Sequence, residues 1–223
     1  MGLLALPAIA DNWTGQGAAG LVIVSGNSDS QLINGSLEAA KKQFLFVHRV
    51  NLAFTTAESN GEDSAESYLI AYNNKYDFSQ RQFWFGDIRY LDDKFDSFHR
   101  IITVSTGYGY RLFDDKTRRW SVAIGPGYRD TKLQDTGEDS SSGALIGESD
   151  LSYQLTSTTK LLDELRFEAA EDNTAIQNIA GISLTINKSL SLKLTYDVRY
   201  NSDPAPEKTS TDKTTSVNLV YKI

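Results

Sequence analysis

Residues 190–201 read LSLKLTYDVRYN, and they alternate between two kinds of side chain almost without a break. Every second residue from Leu190 to Tyr200 is aliphatic or aromatic, and the residues between them are polar or charged. Because successive side chains of a β-strand point to opposite faces, this strand is apolar on one side and polar on the other. Residues 215–223 repeat the pattern and end the chain. The pattern fits a transmembrane β-barrel, whose apolar face meets lipid, or a soluble β-sandwich, whose apolar face meets a core.

The composition narrows the classes of protein. At 223 residues the chain is long enough for one large all-β domain or two small domains. It contains no Cys, which excludes disulfides, thiolate chemistry and Cys-based metal sites. The net charge of −7 argues against nucleic acid as a partner, because phosphate binding favours a basic surface. No apolar run reaches the roughly 18 residues that a transmembrane helix needs.

The N-terminus has the character of a processed leader. Residues 1–10 form a short apolar run that ends in Ala8-Ile9-Ala10, which is a small-x-small cleavage pattern. We interpret residues 1–10 as the remnant of a secretory signal peptide; the alternative is an N-terminal segment without regular structure. Residues 11–223 are then expected to form a single barrel domain.

Alternation and turn signals divide the rest of the chain into twelve strand-like segments. The predicted strands are 13–25, 30–42, 46–59, 66–78, 82–92, 98–112, 119–131, 143–155, 159–170, 174–187, 189–201 and 213–223. An even number suits a single-chain outer-membrane barrel and leaves both termini on the periplasmic side. The connections after even-numbered strands are all short, while those after odd-numbered strands include 60–65, 136–142 and 202–212. Short periplasmic turns and longer outer loops are typical of such barrels.

Aromatic residues collect near the predicted strand ends. The proposed periplasmic ends carry Trp13, Phe46, Phe78, Trp84, Tyr110, Phe113, Trp120 and Tyr221, and the opposite ends carry Tyr68, Tyr90, Tyr128 and Tyr200. Two such girdles mark the membrane interfaces of a barrel, whereas a sandwich concentrates its aromatic residues mid-strand. We therefore predict an all-β fold, a twelve-stranded antiparallel up-and-down transmembrane β-barrel of the outer-membrane type.

Three motifs resemble a known family. The stretches SGNSD at 25–29, GYGYR at 107–111 and GPGYR at 125–129 are similar in order and spacing to a domain-of-unknown-function family. Its members are often labelled salt-induced outer-membrane proteins of Gram-negative bacteria, and the resemblance extends to the Val-Tyr-Lys ending. It implies a barrel in the outer membrane, but it carries no activity that can be assigned to residues. The last residue, Ile223, departs from the Phe that barrel-assembly signals prefer; the C-terminal strand is still expected to engage the barrel-assembly machinery.

If the apolar faces meet lipid, the inward faces are rich in charge of both signs, eight residues of each. The predicted inward charges are Glu38, Arg49, Lys75, Asp77, Asp87, Arg89, Arg111, Arg129, Glu148, Asp150, Glu164, Arg166, Glu168, Lys193, Asp197 and Arg199. Barrels of eight strands are filled by side chains and those of 16–18 hold a channel, so twelve strands are intermediate. The charges have two interpretations: a salt-bridged, hydrated filling, or the lining of a pathway for a small polar or zwitterionic solute.

Glycines cluster on the predicted inward face of strands six and seven, at Gly107, Gly109, Gly125 and Gly127. Inward positions without side chains indicate either tight curvature or room beside the backbone. The hypothesis is a lumenal gap bordered by Arg111 and Arg129. Pro126, which cannot donate to a strand ladder, predicts a local bulge there.

Two enzyme classes remain as alternatives. A lipase of this architecture needs Ser and His adjacent on the lipid-facing surface, but neither His48 nor His99 is followed by a Ser at strand spacing. A protease at the outer mouth needs a His with a carboxylate, and His99 follows Asp92, Asp93 and Asp96. The sequence favours a non-enzymatic envelope protein, either structural and stress-related or a narrow channel, over such a surface hydrolase. No cofactor or metal site is predicted.

The predicted outer loops are acidic, at Glu58, Glu62, Asp63, Glu66, Asp135, Glu138, Asp139, Glu171 and Asp172. Carboxylates at this rim are expected to keep the loops solvated, to bridge to lipopolysaccharide through divalent cations, or to enrich cations at the mouth of the barrel.

Overall fold

The computed structural model of the chain describes residues 13–24, 30–134, 136–171, 173–204 and 209–223. The predicted signal-peptide remnant, residues 1–10, lies outside the described residues, as does the SGNSD motif at 25–29. The strands are β1 (Trp13–Val24), β2 (Ser30–Gln43), β3 (Phe46–Ser59), β4 (Glu62–Asp77), β5 (Gln82–Asp93), β6 (Phe98–Asp114), β7 (Arg118–Leu133), β8 (Asp139–Gln154), β9 (Thr159–Ala170), β10 (Thr174–Thr185), β11 (Leu190–Asn201) and β12 (Thr211–Lys222). Each strand pairs antiparallel with the next, and β1 pairs with β12, so that the sheet closes into a barrel. The predicted fold is confirmed.

The main difference in strand boundaries lies between β3 and β4. The predicted loop 60–65 is wrong, because Asn60 and Gly61 alone form the turn and β4 already begins at Glu62. Their φ angles of 54° and 81° give the pair of left-handed residues that a tight hairpin turn requires. β8 likewise begins at Asp139 rather than 143, which shortens the predicted loop 136–142. Of the three long outer connections that the sequence predicts, the one from 202 to 210 comes nearest to its predicted length, because β11 ends at Asn201 and β12 begins at Thr211.

The two ends of the barrel differ in the connections between their strands. The short-turn end carries the turns 44–45, 78–81, 115–117, 155–158 and 186–189; the opposite end is the loop end. Both described chain ends lie at the short-turn end, where the backbone N–H of Ile223 donates to the Gly15 carbonyl at 2.9 Å.

Strand register separates an apolar outer surface from a polar interior. On β11, Leu194 points outward with 47% of its surface exposed and pairs with Ile182 and Val217, both of them outward and exposed. Its neighbour Lys193 points inward and pairs with Asn218. An apolar exterior around a polar interior is the arrangement of a transmembrane barrel. Within the described ranges, no helix has the length and apolar character needed to span a bilayer.

One side of the interior is filled by apolar side chains. Phe83, Phe85 and Ile146 lie on the inward faces of their strands, and each is no more than 1% exposed. In the strand register Phe83 lies opposite Gly109 and Phe85 lies opposite Gly107. The large rings of β5 thus occupy the space that the glycines of β6 leave.

The hypothesis of a gap at the four glycines is wrong. A Cβ added to Gly109 would meet the ring of Phe83, and one added to Gly127 would meet the side chain of Ile146. At Gly107 and Gly125 the two backbones are so close that an added Cβ would meet main-chain atoms of the facing strand. The glycines serve close approach of β6, β7 and their neighbours, and they leave no space for a solute.

The bulge predicted at Pro126 is also absent. Ser105 pairs with Gly127 and Tyr108 pairs with Ile124, so the register is the same on both sides of the proline. The register shifts of this hairpin lie near its two ends instead. Pro126 therefore removes one backbone donor from the strand ladder without adding a residue to it.

Candidate functional site

The open part of the interior lies opposite the filled side. It is a cavity of about 810 Å³ lined by strands β1–β5 and β8–β12, and none of its lining residues comes from β6 or β7. All sixteen predicted charges lie on the inward faces of their strands. Twelve of them line the cavity: Glu38, Arg49, Lys75, Asp87, Arg89, Glu148, Asp150, Glu164, Arg166, Lys193, Asp197 and Arg199. The other four, Asp77, Arg111, Arg129 and Glu168, lie toward the filled side.

Arg166 on β9 is the centre of the largest ion-pair network. Its Nε lies 2.7 Å from Glu168 Oε1, and one Nη lies 3.4 Å from Asp87 Oδ1; the other contacts Glu148. The Arg166 side chain is only 14% exposed. Because Asp87 is on β5 and Glu148 is on β8, a single guanidinium group connects the two walls that flank the filled side. This network closes off the glycine side of the interior.

The arginines predicted to border the gap are instead packed on aromatic rings. Arg129 is 2% exposed, with its guanidinium carbon 4.9 Å from the Phe98 ring centroid and its Nε 4.0 Å from Glu168. Arg111 lies 4.8 Å from the Phe83 ring and donates to Asp77 at 2.5 Å. These contacts fix both cations within the filling.

Lys75 adds a further contact to the same filling. Its Nζ lies 4.8 Å from the centroid of the Phe83 ring, which Arg111 also contacts, and 3.6 Å from Asp150 Oδ2. The Asp150 side chain is 47% exposed, so this ion pair forms the boundary between the filling and the cavity.

The cavity is also lined by amide and hydroxyl side chains, which are not among the predicted lumenal residues. They occur at Gln16, Asn34, Ser36, Asn51, Asn73, Gln177, Ser191, Thr195, Ser216 and Asn218. Asn34 of β2 donates to Asn218 of β12 at 2.9 Å, across the intervening β1 at Gly20, where an added Cβ would meet both side chains. These residues share the period of two that identified the charges, so the same reasoning applied to uncharged side chains finds them.

Arg89 aside, Glu164 and Lys193 are the predicted cavity charges that form no ion pair among the described residues. Both line the cavity, and neither has an oppositely charged group within 4.0 Å among the described side chains. Elsewhere in the cavity the charges pair more loosely than around Arg166: Arg49 lies 3.6 Å from Glu38, with 43% of its side chain exposed. Opposite charges that face a hydrated cavity can contact a dipolar solute at both ends.

The two histidines lie near opposite ends of the barrel, His48 on β3 and His99 on β6. His48 lies on the outer surface near the short-turn end, where its Nδ1 is 2.8 Å from both Tyr72 Oη and Asn74 Nδ2, rather than beside a serine. His99 Nε2 lies 3.9 Å from Asp92. Among the residues described, no three His, Asp or Glu side chains are grouped so as to hold a metal ion.

The carboxylates predicted to join His99 have structural roles. Asp93 Oδ1 accepts backbone N–H groups of the loop 94–97 at 3.0 and 3.2 Å. Asp96 accepts a further N–H of that loop at 2.6 Å. These bonds hold the turn between β5 and β6, and the predicted carboxylate that lies beside His99 is Asp92.

Part of the acidic rim is neutralised by neighbouring cations. Glu66 lies 2.6 Å from Lys94, and Asp139 lies 3.2 Å from Arg100, which also pairs with Asp130 at 3.0 Å. The lysine hydrogen bond lowers the pKa of Glu66. Asp135 and Asp172 lie outside the described residues, and binding of divalent cations by the remaining loop carboxylates stays a prediction.

Residues 17–223 match the family described as "Protein of unknown function, DUF481". The chain belongs to this family. The family resemblance inferred from the three sequence motifs is thereby confirmed. The uncharacterized protein YdiY of Escherichia coli (strain K12) is 26% identical over 217 residues, which cover 92% of this chain and 81% of that protein.

Solved structures share the fold at low sequence identity. The NanC porin has a TM-score of 0.58 at 7% identity, covering 95% of this chain and 100% of that one. An outer membrane channel from Pseudomonas putida F1 has a TM-score of 0.56 at 9% identity, covering 100% and 98%. The translocator domain of the autotransporter NalP from Neisseria meningitidis has a TM-score of 0.51 at 13% identity, covering 94% and 86%. This chain thus shares its barrel architecture with a porin, a channel and a translocator domain.

Proposed function

We propose that this protein is an outer-membrane channel of narrow bore for small polar solutes, including zwitterions. The observation that carries the proposal is the off-centre cavity of about 810 Å³, in which Glu164 and Lys193 face open space without an ion-pair partner among the described residues. Amide, hydroxyl and aliphatic side chains complete its wall. Such a lining provides hydrogen bonds to a hydrated solute along its path.

The filled side of the barrel supports a narrow bore. A twelve-stranded barrel encloses more space than an eight-stranded one, but Phe83, Phe85 and Ile146 occupy the part beside β6 and β7. The fold shared with porins and channels agrees with a conducting role. We further propose that the short-turn end faces the periplasm and that the protein has no enzymatic activity. If the purified protein does not conduct, a purely structural barrel replaces the channel.

Conductance of the purified protein in a planar bilayer tests the channel. Thr195→Trp places a large side chain into the cavity, while Leu194→Trp, one residue away, places the same side chain in lipid. We expect the first variant to lose most of the single-channel conductance and the second to retain it. A folded Thr195→Trp variant that conducts like Leu194→Trp would refute a path through this cavity.

Ion selectivity tests the two free charges. Removal of the carboxylate in Glu164→Gln should shift the reversal potential under a salt gradient toward anion preference. Removal of the ammonium group in Lys193→Gln should shift it the opposite way. If both variants keep the parent reversal potential, these side chains do not face the conducting path.

Absence of hydrolysis is tested with both imidazoles removed. The variant with His48→Ala and His99→Ala should match the parent in phospholipase and protease assays. Activity in the parent that disappears in this variant would replace the channel proposal with the hydrolase alternative.

A further inference from the structure

A groove of about 440 Å³ lies on the outer surface of β6–β9, separate from the lumen. It is lined mainly by Tyr108, Tyr110, Val122, Ile124, Leu165 and Phe167. On its β8 side the ring of Phe167 lies over the backbone of Gly147, which is at an outward position. Its volume is within the range of roughly 300–1,000 Å³ that is usual for ligand sites. An apolar groove that faces hydrocarbon suits an acyl chain better than any polar ligand.

A cation stands at the short-turn end of this groove. Arg81, in the turn between β4 and β5, donates from Nη1 to the hydroxyl of Tyr110 at 3.5 Å, and Tyr110 lines the groove. Among the described residues Arg81 has no carboxylate within 4.0 Å, unlike Arg118 of the next turn, which pairs with Asp115 at 3.0 Å. A free guanidinium group at the level of an aromatic girdle matches a phosphate in position and charge.

Aromatic rings lie beside the short-turn end of the groove. Phe78 lies 6.2 Å from Tyr108 between ring centroids, and Trp120 donates from Nε1 to the hydroxyl of Ser149 at 3.0 Å. Ser149 lines the groove, so the indole of Trp120 lies at its edge. Such rings are typical of the membrane interface, where a lipid headgroup meets its acyl chains.

We propose that this surface binds one membrane phospholipid, with its phosphate against Arg81 and one acyl chain in the groove. The site is separate from the cavity, so it stands whether or not the lumen conducts. It combines a charge contact at the interface with a shaped apolar contact in the bilayer.

Trp120 provides the measurement. The chain has three Trp residues, so Trp13→Phe with Trp84→Phe leaves Trp120 as the single fluorophore. The protein is refolded in detergent without lipid and titrated with phosphatidylglycerol that carries brominated acyl chains, which quench a nearby indole. Saturable quenching is expected. Arg81→Gln should raise the half-quenching concentration about tenfold, as loss of one charge-assisted hydrogen bond predicts.

Matched control variants distinguish binding at this site from nonspecific contact with lipid. Val122→Phe fills the groove, while Val217→Phe makes the same change on the outer face of β12. Lys188→Gln removes a cation from another turn as the control for Arg81→Gln. Mobility of unheated samples on a denaturing gel verifies that each variant is folded.

The outcomes decide the proposal. It holds if both Arg81→Gln and Val122→Phe weaken quenching while both controls bind like the parent. It is overturned if either test variant binds like its control, since lipid contact would then be nonspecific. Brominated diacylglycerol, which lacks the phosphate, should bind at least severalfold more weakly; equal binding would also overturn the role of Arg81.

Discussion

Removal of Arg166 should destabilise the barrel more than removal of any exposed lumenal cation. In Arg166→Met, three carboxylates at Asp87, Glu148 and Glu168 lose their shared partner at a position that is only 14% exposed. Loss of one member of a buried ion pair costs roughly 3–5 kcal/mol, because the remaining charge is left uncompensated. Arg129 remains 4.0 Å from Glu168 and offsets part of this, so we expect about 3 kcal/mol.

Arg49→Met is the matched control. Arg49 is 43% exposed and pairs only with Glu38 at 3.6 Å, and exposed pairs contribute up to about 1 kcal/mol. Urea unfolding of detergent-folded protein, followed by Trp fluorescence, gives both free energies of unfolding. Adding Glu148→Gln to Arg166→Met should recover part of the loss, because it removes one uncompensated charge. If Arg166→Met costs no more than Arg49→Met, the network does not stabilise the wall as argued.

Two further predictions concern the barrel wall. Leu194→Arg places a charge on the lipid-facing surface and should cost roughly 2–4 kcal/mol near the bilayer midplane, whereas Lys193→Leu on the inward face should cost less. Equal loss in urea unfolding for both would mean that the outer surface does not meet lipid. Gly107→Leu should prevent folding or strongly destabilise the barrel, because an added Cβ meets main-chain atoms of β7. Gly86→Leu, where nothing lies within 4 Å of an added Cβ, should fold normally, and heat-dependent gel mobility compares the two.

The strands were predictable because the barrel imposes a different environment on each face. From Leu190 to Tyr200 every inward residue contacts a polar lumen and every outward residue contacts an apolar phase, so the period of two persists for the whole strand. The Asn60-Gly61 turn was also readable, since Asn-Gly is the strongest short hairpin signal, but the polar residues after it obscured the start of β4. Strand ends outside the apolar belt lose the alternation that marks them.

The error at the glycines came from considering one hairpin alone. Gly107 and Gly109 leave space only if nothing from the preceding strand fills it, and Phe85 and Phe83 lie directly opposite them on β5. An aromatic residue paired with a strand glycine covers it, a device that restores packing to the exposed backbone. The register of the β5–β6 hairpin, with its rings two residues apart, would have indicated this filling.

Contacts across the lumen were beyond sequence reasoning. Arg166 and Asp87 are on β9 and β5, and no local pairing rule brings these two strands together. Their contact depends on the stagger and curvature of the closed barrel, which follow from all twelve strands at once. Sequence therefore identified which charges point inward but not which of them neutralise one another.

The difference between neutralised and unpaired inward charges indicates which residues should determine solute selectivity in the proposed channel. Arg111 and Arg129, which the sequence placed beside a pathway, are held against Phe83 and Phe98 and contact carboxylates within the filling. A charge held in this way is already compensated, so its removal should alter stability more than passage of a solute. Glu164 and Lys193 have the reverse character, because they face the cavity without partners among the described side chains. Under the proposed channel function, substitutions of Glu164 and Lys193 should therefore change what passes through the barrel, while substitutions of Arg166 or of the glycines should change whether it folds.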